Sequence, residues 1–160
     1  MASGHIHDHS TILLGVPFGM VSAILLGWMP GLIAALAFLW GGLWFSPDLD
    51  TRSNALRRWG PLRFLWWPYR CLIPHRSIWS HGPLIGTTLR LMYVLVWMLI
   101  AVNVIPELSH PQVFQTIQNW IGQQPRQALA LLIGLEASVW LHLIQDGDPL
   151  PTEWHRRRRQ

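Results

Sequence analysis

The chain has 160 residues, enough for one domain, and only 12% of them are charged, about half the share that is usual in soluble domains. All 12 basic residues are arginine, which excludes Schiff-base lysine chemistry and the lysine of a phosphate loop. The one cysteine, Cys71, excludes an intrachain disulfide, and we expect it to be a packing residue.

Four apolar stretches follow one another along the chain, and each approaches the roughly 17 to 25 residues that a membrane span needs. They cover residues 11–28, 31–47, 83–105 and 128–145. Met29 and Pro30 alone separate the first two stretches, which predicts a tight helical hairpin. A soluble all-helical protein with buried helices is the alternative, but charge-free runs of this length are costly to expose in water. We therefore predict an all-α fold, with residues 1–160 forming a single membrane-embedded bundle of about four helices.

The arginines lie mostly on one side of the four predicted spans. An even number of spans puts both termini and the central loop on the same side, which holds the arginines of residues 52–76 and the run 156–159. Only Arg126 falls on the other side. Because cytoplasmic loops carry an excess of arginine, we predict insertion into an inner, cytoplasmic-type membrane with both termini in the cytoplasm.

Between the second and third spans, residues 57–70 alternate aromatic and basic side chains. This pattern is typical of a segment that lies on the membrane surface. A nucleic-acid surface with stacking platforms is the rival interpretation, but we expect no nucleic acid, because such segments are a normal feature of membrane proteins. Residues 106–126, between the third and fourth spans, are predicted to form a short connector with room for one interfacial turn.

Histidines and aspartates gather at the predicted cytoplasmic ends of the spans. His142 and Asp146 are four residues apart, so a helix would place them on one face, one turn apart. Asp48 and Asp50 follow the helix-breaking Pro47 and would share one side of an extended segment. The other candidates lie in the N-terminal segment, in the loop before the third span and just beyond the fourth: His5, His7, Asp8, His9, His75, His81 and Asp148.

Each of these groups is a weak signal when taken alone. A histidine near a span end is usually an interfacial residue, an Asp-x-Asp pair is often a cap or turn, and three early histidines could be a frayed tail. Their convergence on one membrane face is a stronger signal, because ionisable residues near membrane depth usually serve a function. Mixed nitrogen and oxygen ligands suit zinc, manganese or iron, with zinc favoured, and this many ligands could hold one or two divalent ions per chain.

At these positions the chain resembles a family of predicted metal-binding membrane proteins of unknown function. That family is similar to a wider group of LexA-regulated, membrane-bound, metal-dependent hydrolases, which has a remote similarity to zinc-dependent phospholipases C. The matching strings are the early His7-Asp8 pair, SPDLD at 46–50, RWGPLRFLWWPYR at 58–70, HRSIWSHG at 75–82, and the late His142 with Asp146. The resemblance implies six metal ligands: His7, Asp48, His75, His81, His142 and Asp146.

The leading hypothesis for function is a hydrolase of a phosphoester such as a lipid headgroup, with the lipid bilayer and a phospholipid as its partners. Water activated by the metal would be the nucleophile, Asp50 or Asp8 the general base, and Arg76 would stabilise the phosphate charge. The alternative is a non-catalytic membrane protein whose metal fixes the fold, as structural sites do. A metal transporter is disfavoured, because we expect no acidic or histidine ligand in the middle of a span.

Overall fold

The computed structural model describes residues 3–105 and 110–147, and within these ranges the chain forms helices and turns but no strand. The helices in chain order are α1 (Gly4–Leu26), α2 (Trp28–Leu43), a 3₁₀ turn at Pro47–Asp50, α3 (Asn54–Arg58), a 3₁₀ helix at Gly60–Trp66, α4 (Trp67–Leu72), α5 (Ile78–His81), α6 (Ile85–Val104), α7 (His110–Gln123) and α8 (Pro125–Gln145). The all-α prediction is confirmed for this part of the chain.

Four of the helices are long and apolar enough to cross a membrane. They are α1, α6 and α8, together with α2 when it is counted on to Asp50. Large apolar side chains on their outward faces stay exposed, among them Ile24, Leu25, Trp28 and Val104. Exposed apolar surface of this extent is unusual for a protein surrounded by water.

The break between α1 and α2 lies at Gly27 and not at the predicted Met29 and Pro30. Gly27 has a φ of 101°, in the left-handed region that glycine tolerates, and its N–H still bonds the carbonyl of Ala23. Pro30 stands in the first turn of α2, where its missing N–H leaves no helix bond unmade. The predicted hairpin therefore forms with an earlier turn.

Helix α1 begins at Gly4 and not at the predicted residue 11, so the early histidines are helical instead of forming a frayed tail. Bonds to distant segments hold these first turns in place. Asp8 pairs with Arg58, and the ring of His7 bonds Gln145 at the end of α8. The start of α1 is thus fixed beside the end of α8.

The aromatic-basic segment between α2 and α6 is half core and half surface. Trp66 and Tyr69 are buried and pack with Phe45 and Leu49. Leu49 belongs to the Pro47–Asp50 turn, so the inner side of the segment supports that turn. The outer side exposes large apolar residues: Leu62, Phe64, Trp67 and Leu72. The predicted surface segment therefore also builds the core beneath the two aspartates.

Two other predictions are wrong. The expected connector at 106–126 contains α7, a helix of 14 residues. Its apolar residues recur at helical spacing among glutamines, so its mean hydropathy is too low for a search for apolar stretches to find it. Cys71 is exposed on α4 and not buried as a packing residue would be.

Small residues bring α2 into close contact with both α1 and α8. A side chain at Gly19 would meet Ala35 across the α1–α2 contact, and one at Gly134 would meet the backbone of Ala34 across the α2–α8 contact. Small residues at such positions let apolar helices approach closely. This packing fixes the ends of α2 and α8 next to each other.

Candidate metal centre

Six side chains that the sequence predicts as ligands meet at one end of the helical bundle. Each comes from the end of an element: α1, the Pro47–Asp50 turn, the residues before α5, α5 itself, α8 and the cap of α8. They form two groups, and within each group one possible ligand atom from every residue lies within 4.8 Å of the others. One group is His7, His142 and Asp146, and the other is Asp48, His75 and His81.

The two groups are joined through one carboxylate oxygen. Oδ1 of Asp48 lies 3.5 Å from Nε2 of His81 and 3.6 Å from Nε2 of His142. Nε2 of His142 is also 3.8 Å from Oδ2 of Asp146, one helical turn later. All six predicted ligands therefore belong to one continuous cluster.

The ring of His7 is oriented by Gln145, the last residue of α8. Nδ1 of His7 lies 2.7 Å from Oε1 of Gln145, an oxygen that can only accept, so Nδ1 carries the proton. Nε2 of His7 keeps its lone pair and lies 3.2 Å from Oδ1 of Asp146. The ring also stacks on His142, with centroids 4.0 Å apart.

Asp50 orients the ring of His75 in the same way. Its two carboxylate oxygens lie 3.0 and 3.1 Å from Nδ1 of His75, and the Asp50 side chain is fully buried. Hydrogen bonding to this carboxylate raises the pKa of His75 above its usual range. The carboxylate oxygens can only accept, so Nδ1 donates, and in the neutral ring Nε2 of His75 is the nitrogen that can ligate.

His81 is oriented by its neighbour Ser80. The Ser80 hydroxyl donates to the carbonyl of Pro74 or of Ser77, so it accepts from Nδ1 of His81 at 2.9 Å. Burial lowers the pKa of His81, which keeps the ring neutral near neutral pH. A neutral ring with a protonated Nδ1 presents Nε2 as a ligand.

Two buried nitrogen atoms test whether this cluster fits a metal. Nε2 of His81 and Nε2 of His142 are buried and have no hydrogen-bond partner, yet both face Oδ1 of Asp48. Buried polar atoms in folded proteins are almost always paired. The distances of 3.5 and 3.6 Å are long for hydrogen bonds, and a cation between the atoms would satisfy both nitrogens and the carboxylate. The residues therefore fit a divalent cation with mixed nitrogen and oxygen ligands, such as zinc, manganese or iron.

Local sequence explains how the short elements present these ligands. Pro47 opens the 3₁₀ turn after Ser46, whose hydroxyl accepts from the N–H of Asp48. The two aspartates therefore lie on a tight turn and not in the extended segment that was expected. Both approach His81, but Asp48 also approaches His142 and Asp50 contacts His75. Ser77 caps α5 by accepting from the N–H of Ser80, and the four-residue helix ends at His81.

Three predicted catalytic groups have contacts of their own. Nη2 of Arg76 donates to Oδ2 of Asp146 at 3.3 Å, and Arg76 adopts a left-handed φ of 58°. Asp8 is held by both terminal nitrogens of Arg58 and by the Asn54 amide. Asp50 contacts His75 as described above. Their predicted roles in catalysis stay predictions, but each group lies at or beside the cluster.

The other candidates lie outside the cluster. His5 and His9 are exposed on α1 and belong to neither ligand group among the described residues. Asp148 and the arginine run 156–159 lie outside the described residues.

An acidic residue in the middle of α8 contradicts the expectation that the spans hold none. Oε1 of Glu136 accepts from the N–H of Leu84, and Oε2 accepts from the hydroxyl of Thr87. Arg90, which is fully buried, donates to the Ser80 carbonyl at 2.7 Å and to Thr87. These bonds join α6, α8 and the residue that orients His81, so Glu136 serves the same end of the bundle.

Sequence reasoning missed the residues that orient the histidines. Gln145 and Ser80 directly precede the predicted ligands Asp146 and His81, and this adjacency is the one signal that could have pointed to them. Arg90 lies near the start of the third apolar stretch, where the sequence shows only its charge. Its bond to Ser80 depends on how α5 turns back onto α6, which no spacing in the sequence encodes.

A polar cavity of about 310 Å³ opens onto the cluster. Three of the six candidate ligands, His7, Asp48 and His75, line one part of it. The rest of its wall comes mainly from the start of α1 and from the residues after the 3₁₀ turn, including Asp8, Thr51, Arg52, Ser53 and Asn54. The cluster is therefore open to a small polar molecule on one side.

Comparison with known proteins bears on this site. The family described as "Uncharacterized metal-binding protein (DUF2227)" matches residues 2–158. An uncharacterized protein of Aquifex aeolicus (strain VF5) is 40% identical over 60 residues, which are 37% of this chain and 42% of that protein. The match thus covers less than half the length of this relative. No solved structure matches the chain.

Proposed function

The chain belongs to this family of uncharacterized metal-binding proteins, and from that premise we propose that it is a membrane-embedded, metal-dependent hydrolase of phosphoesters. The substrate we favour is a lipid headgroup. The metal site would lie at the cytoplasmic end of the helices, in an inner membrane, with the phospholipid bilayer as the surrounding partner. The similarity to membrane-bound metal-dependent hydrolases that the sequence strings indicate supports the same reaction class.

The cavity beside the cluster is the observation that carries the proposal of catalysis. A structural metal site is closed by four protein ligands, whereas a catalytic site keeps a position open to its substrate. Here His7, Asp48 and His75 line a polar cavity of about 310 Å³, which is at the small end of ligand sites. A headgroup-sized polar molecule could reach the cluster there.

In this proposal the residues of the cluster have different roles. His7, Asp48, His75, His81, His142 and Asp146 would hold the metal. When bound, the ion supplies Lewis acidity toward water and a phosphoryl oxygen. Asp50 holds the ring of His75, and its contacts favour this orienting role over that of general base. Arg76 holds Asp146 and has further N–H groups that could meet an anion.

Membrane embedding is supported by the four long apolar helices and by their exposed apolar faces. The cytoplasmic placement of the cluster rests on arginine. The segment from Arg52 to Arg76 adjoins the cluster, and loops rich in arginine stay in the cytoplasm. The same placement would put the cavity at headgroup level.

A non-catalytic metal site is the second candidate, and one observation favours it. The ligands come from α1, the 3₁₀ turn, the segment around α5, and α8, so a bound ion would tie all four together. Metal that links distant segments commonly stabilises a fold. The cavity that opens onto the cluster is the observation that favours catalysis over a purely structural role.

Hydrolysis of defined phosphoesters tests the proposal. The detergent-purified protein, loaded with zinc, manganese or iron, is given phosphatidic acid, phosphatidylglycerol and a soluble aryl phosphate. We expect metal-dependent release of product, at least a hundredfold slower in Asp48→Asn and unchanged in His9→Ala, whose histidine is exposed and outside the cluster. Stoichiometric metal without hydrolysis of any of these esters would contradict the hydrolase and favour the structural role.

A further inference from the structure

The wall of the cavity that three candidate ligands line also carries a cation. Arg52 lines this cavity together with Thr51, Ser53 and Asn54, directly after the turn that bears the two aspartates. A site that joins a divalent ion to an arginine side chain across a small polar space is suited to an anion.

Arg52 differs from Arg58 and Arg76 because, among the described residues, its guanidinium group has no carboxylate partner. Arg58 makes a two-point ion pair with Asp8, and Arg76 donates to Asp146. Arg52 has an exposed side chain and no hydrogen bond or ion pair within the described part of the chain. Asp8, the other carboxylate on the cavity wall besides Asp48, is neutralised by Arg58.

We propose that Arg52 binds the phosphate group of the substrate in this cavity, which His7, Asp48 and His75 also line. The ligand class is a phosphate ester with free oxygens, either on a lipid headgroup or on a soluble molecule. Guanidinium groups bind such oxygens through two parallel hydrogen bonds. The inference rests on the proposed function, but it concerns binding and can be tested without turnover.

Binding of inorganic phosphate to the metal-loaded protein in detergent is the first test. Calorimetry on wild type, Arg52→Gln, Arg52→Lys and Arg63→Gln would accompany elemental analysis of each sample. Arg63 is the matched control, because it is an exposed arginine of the same loop region that does not line the cavity. We expect full metal content in all four proteins and phosphate affinity about tenfold weaker in Arg52→Gln. Arg52→Lys should recover part of that affinity, since it keeps the charge and loses the two-point geometry.

Competition experiments with a soluble and a lipid phosphate ester distinguish the two possible sources of the ligand. Glycerol phosphate and nanodiscs containing phosphatidic acid are each used to compete with inorganic phosphate. Competition by either one at the Arg52-dependent site supports the proposal and identifies the source.

Equal phosphate affinity in Arg52→Gln and wild type would overturn the inference, as would the absence of phosphate binding by metal-loaded wild type. Its failure is distinguishable from failure of the hydrolase. Arg52-dependent phosphate binding without hydrolysis of any ester supports the inference and contradicts the hydrolase. Hydrolysis that does not depend on Arg52, with phosphate affinity unchanged, contradicts the inference alone.

Discussion

Asp48 and Asp50 are two residues apart, and their surroundings give them different parts in the cluster. The Asp48 side chain is 25% exposed, lines the cavity and turns Oδ1 toward two unpaired histidine nitrogens. The Asp50 side chain is fully buried and contacts the Nδ1 side of His75. The first carboxylate therefore suits a ligand, and the second suits the carboxylate that commonly supports a ligating histidine.

Replacement of Asp50 by asparagine tests this division at the residue scale. Asp50→Asn keeps the size of the side chain but removes the charge that holds the Nδ1 proton of His75. We expect the metal to stay bound with about 10- to 100-fold weaker affinity, and Asp48→Asn to lose more. Competition with a chromogenic chelator measures both. If Asp50→Asn binds the metal as tightly as wild type, Asp50 does not support His75 as a ligand.

At the scale of elements, the contact between α2 and α8 places His142 beside Asp48. Gly134 makes that contact possible, because a side chain there would meet the Ala34 carbonyl and the Ala37 side chain. Overpacking at such a position shifts backbone as well as side chains. The ligand geometry at the helix ends therefore depends on small residues two turns away.

Gly134→Ala tests this dependence. The added methyl group should destabilise the protein by about 1–3 kcal/mol and weaken metal binding as α8 moves from α2. Gly122→Ala is the matched control, since a side chain there meets nothing within 4 Å, and alanine favours a helix. Thermal unfolding in one detergent, with and without metal, compares the two. Equal melting temperatures for both variants would contradict the close packing.

In the whole molecule, the ligand cluster lies at one end of the bundle of apolar helices. The start of α1, the end of α2, the segment before α6 and the end of α8 meet around the six candidate ligands. The start of α8 lies at the opposite end of that helix. The exposed Cys71 lies in the segment between α2 and α6, on the cluster side of the chain.

Cysteine labelling in cells tests the orientation. With the central segment in the cytoplasm, Cys71 should react with a membrane-impermeant maleimide only after the membrane is permeabilised. A Cys71→Ser, Gln124→Cys variant moves the thiol to the start of α8, and it should react in intact cells. Labelling in the reverse pattern would contradict the cytoplasmic placement, and extraction of the protein by alkaline carbonate would contradict membrane embedding.

Some of this arrangement could be predicted from the sequence, and the reasons differ by residue. The four apolar helices follow from length and hydropathy, and the pair His142 and Asp146 follows from helical spacing. Helix α7 could not be found by hydropathy, since its polar residues dominate the average. The bond between His7 and Gln145 joins residues 138 positions apart. Contacts of that separation depend on packing of whole helices, so the orienting residues became visible only in the fold.

The most direct test of the metal centre is elemental analysis of the detergent-purified protein. Wild type, His142→Ala and the matched control His9→Ala are compared after reconstitution with zinc, manganese and iron. The cluster predicts one or two ions per chain in wild type and His9→Ala, and a loss of at least one ion in His142→Ala, since that ring contributes a buried unpaired nitrogen. No bound metal in wild type, or equal content in His142→Ala, would contradict the site.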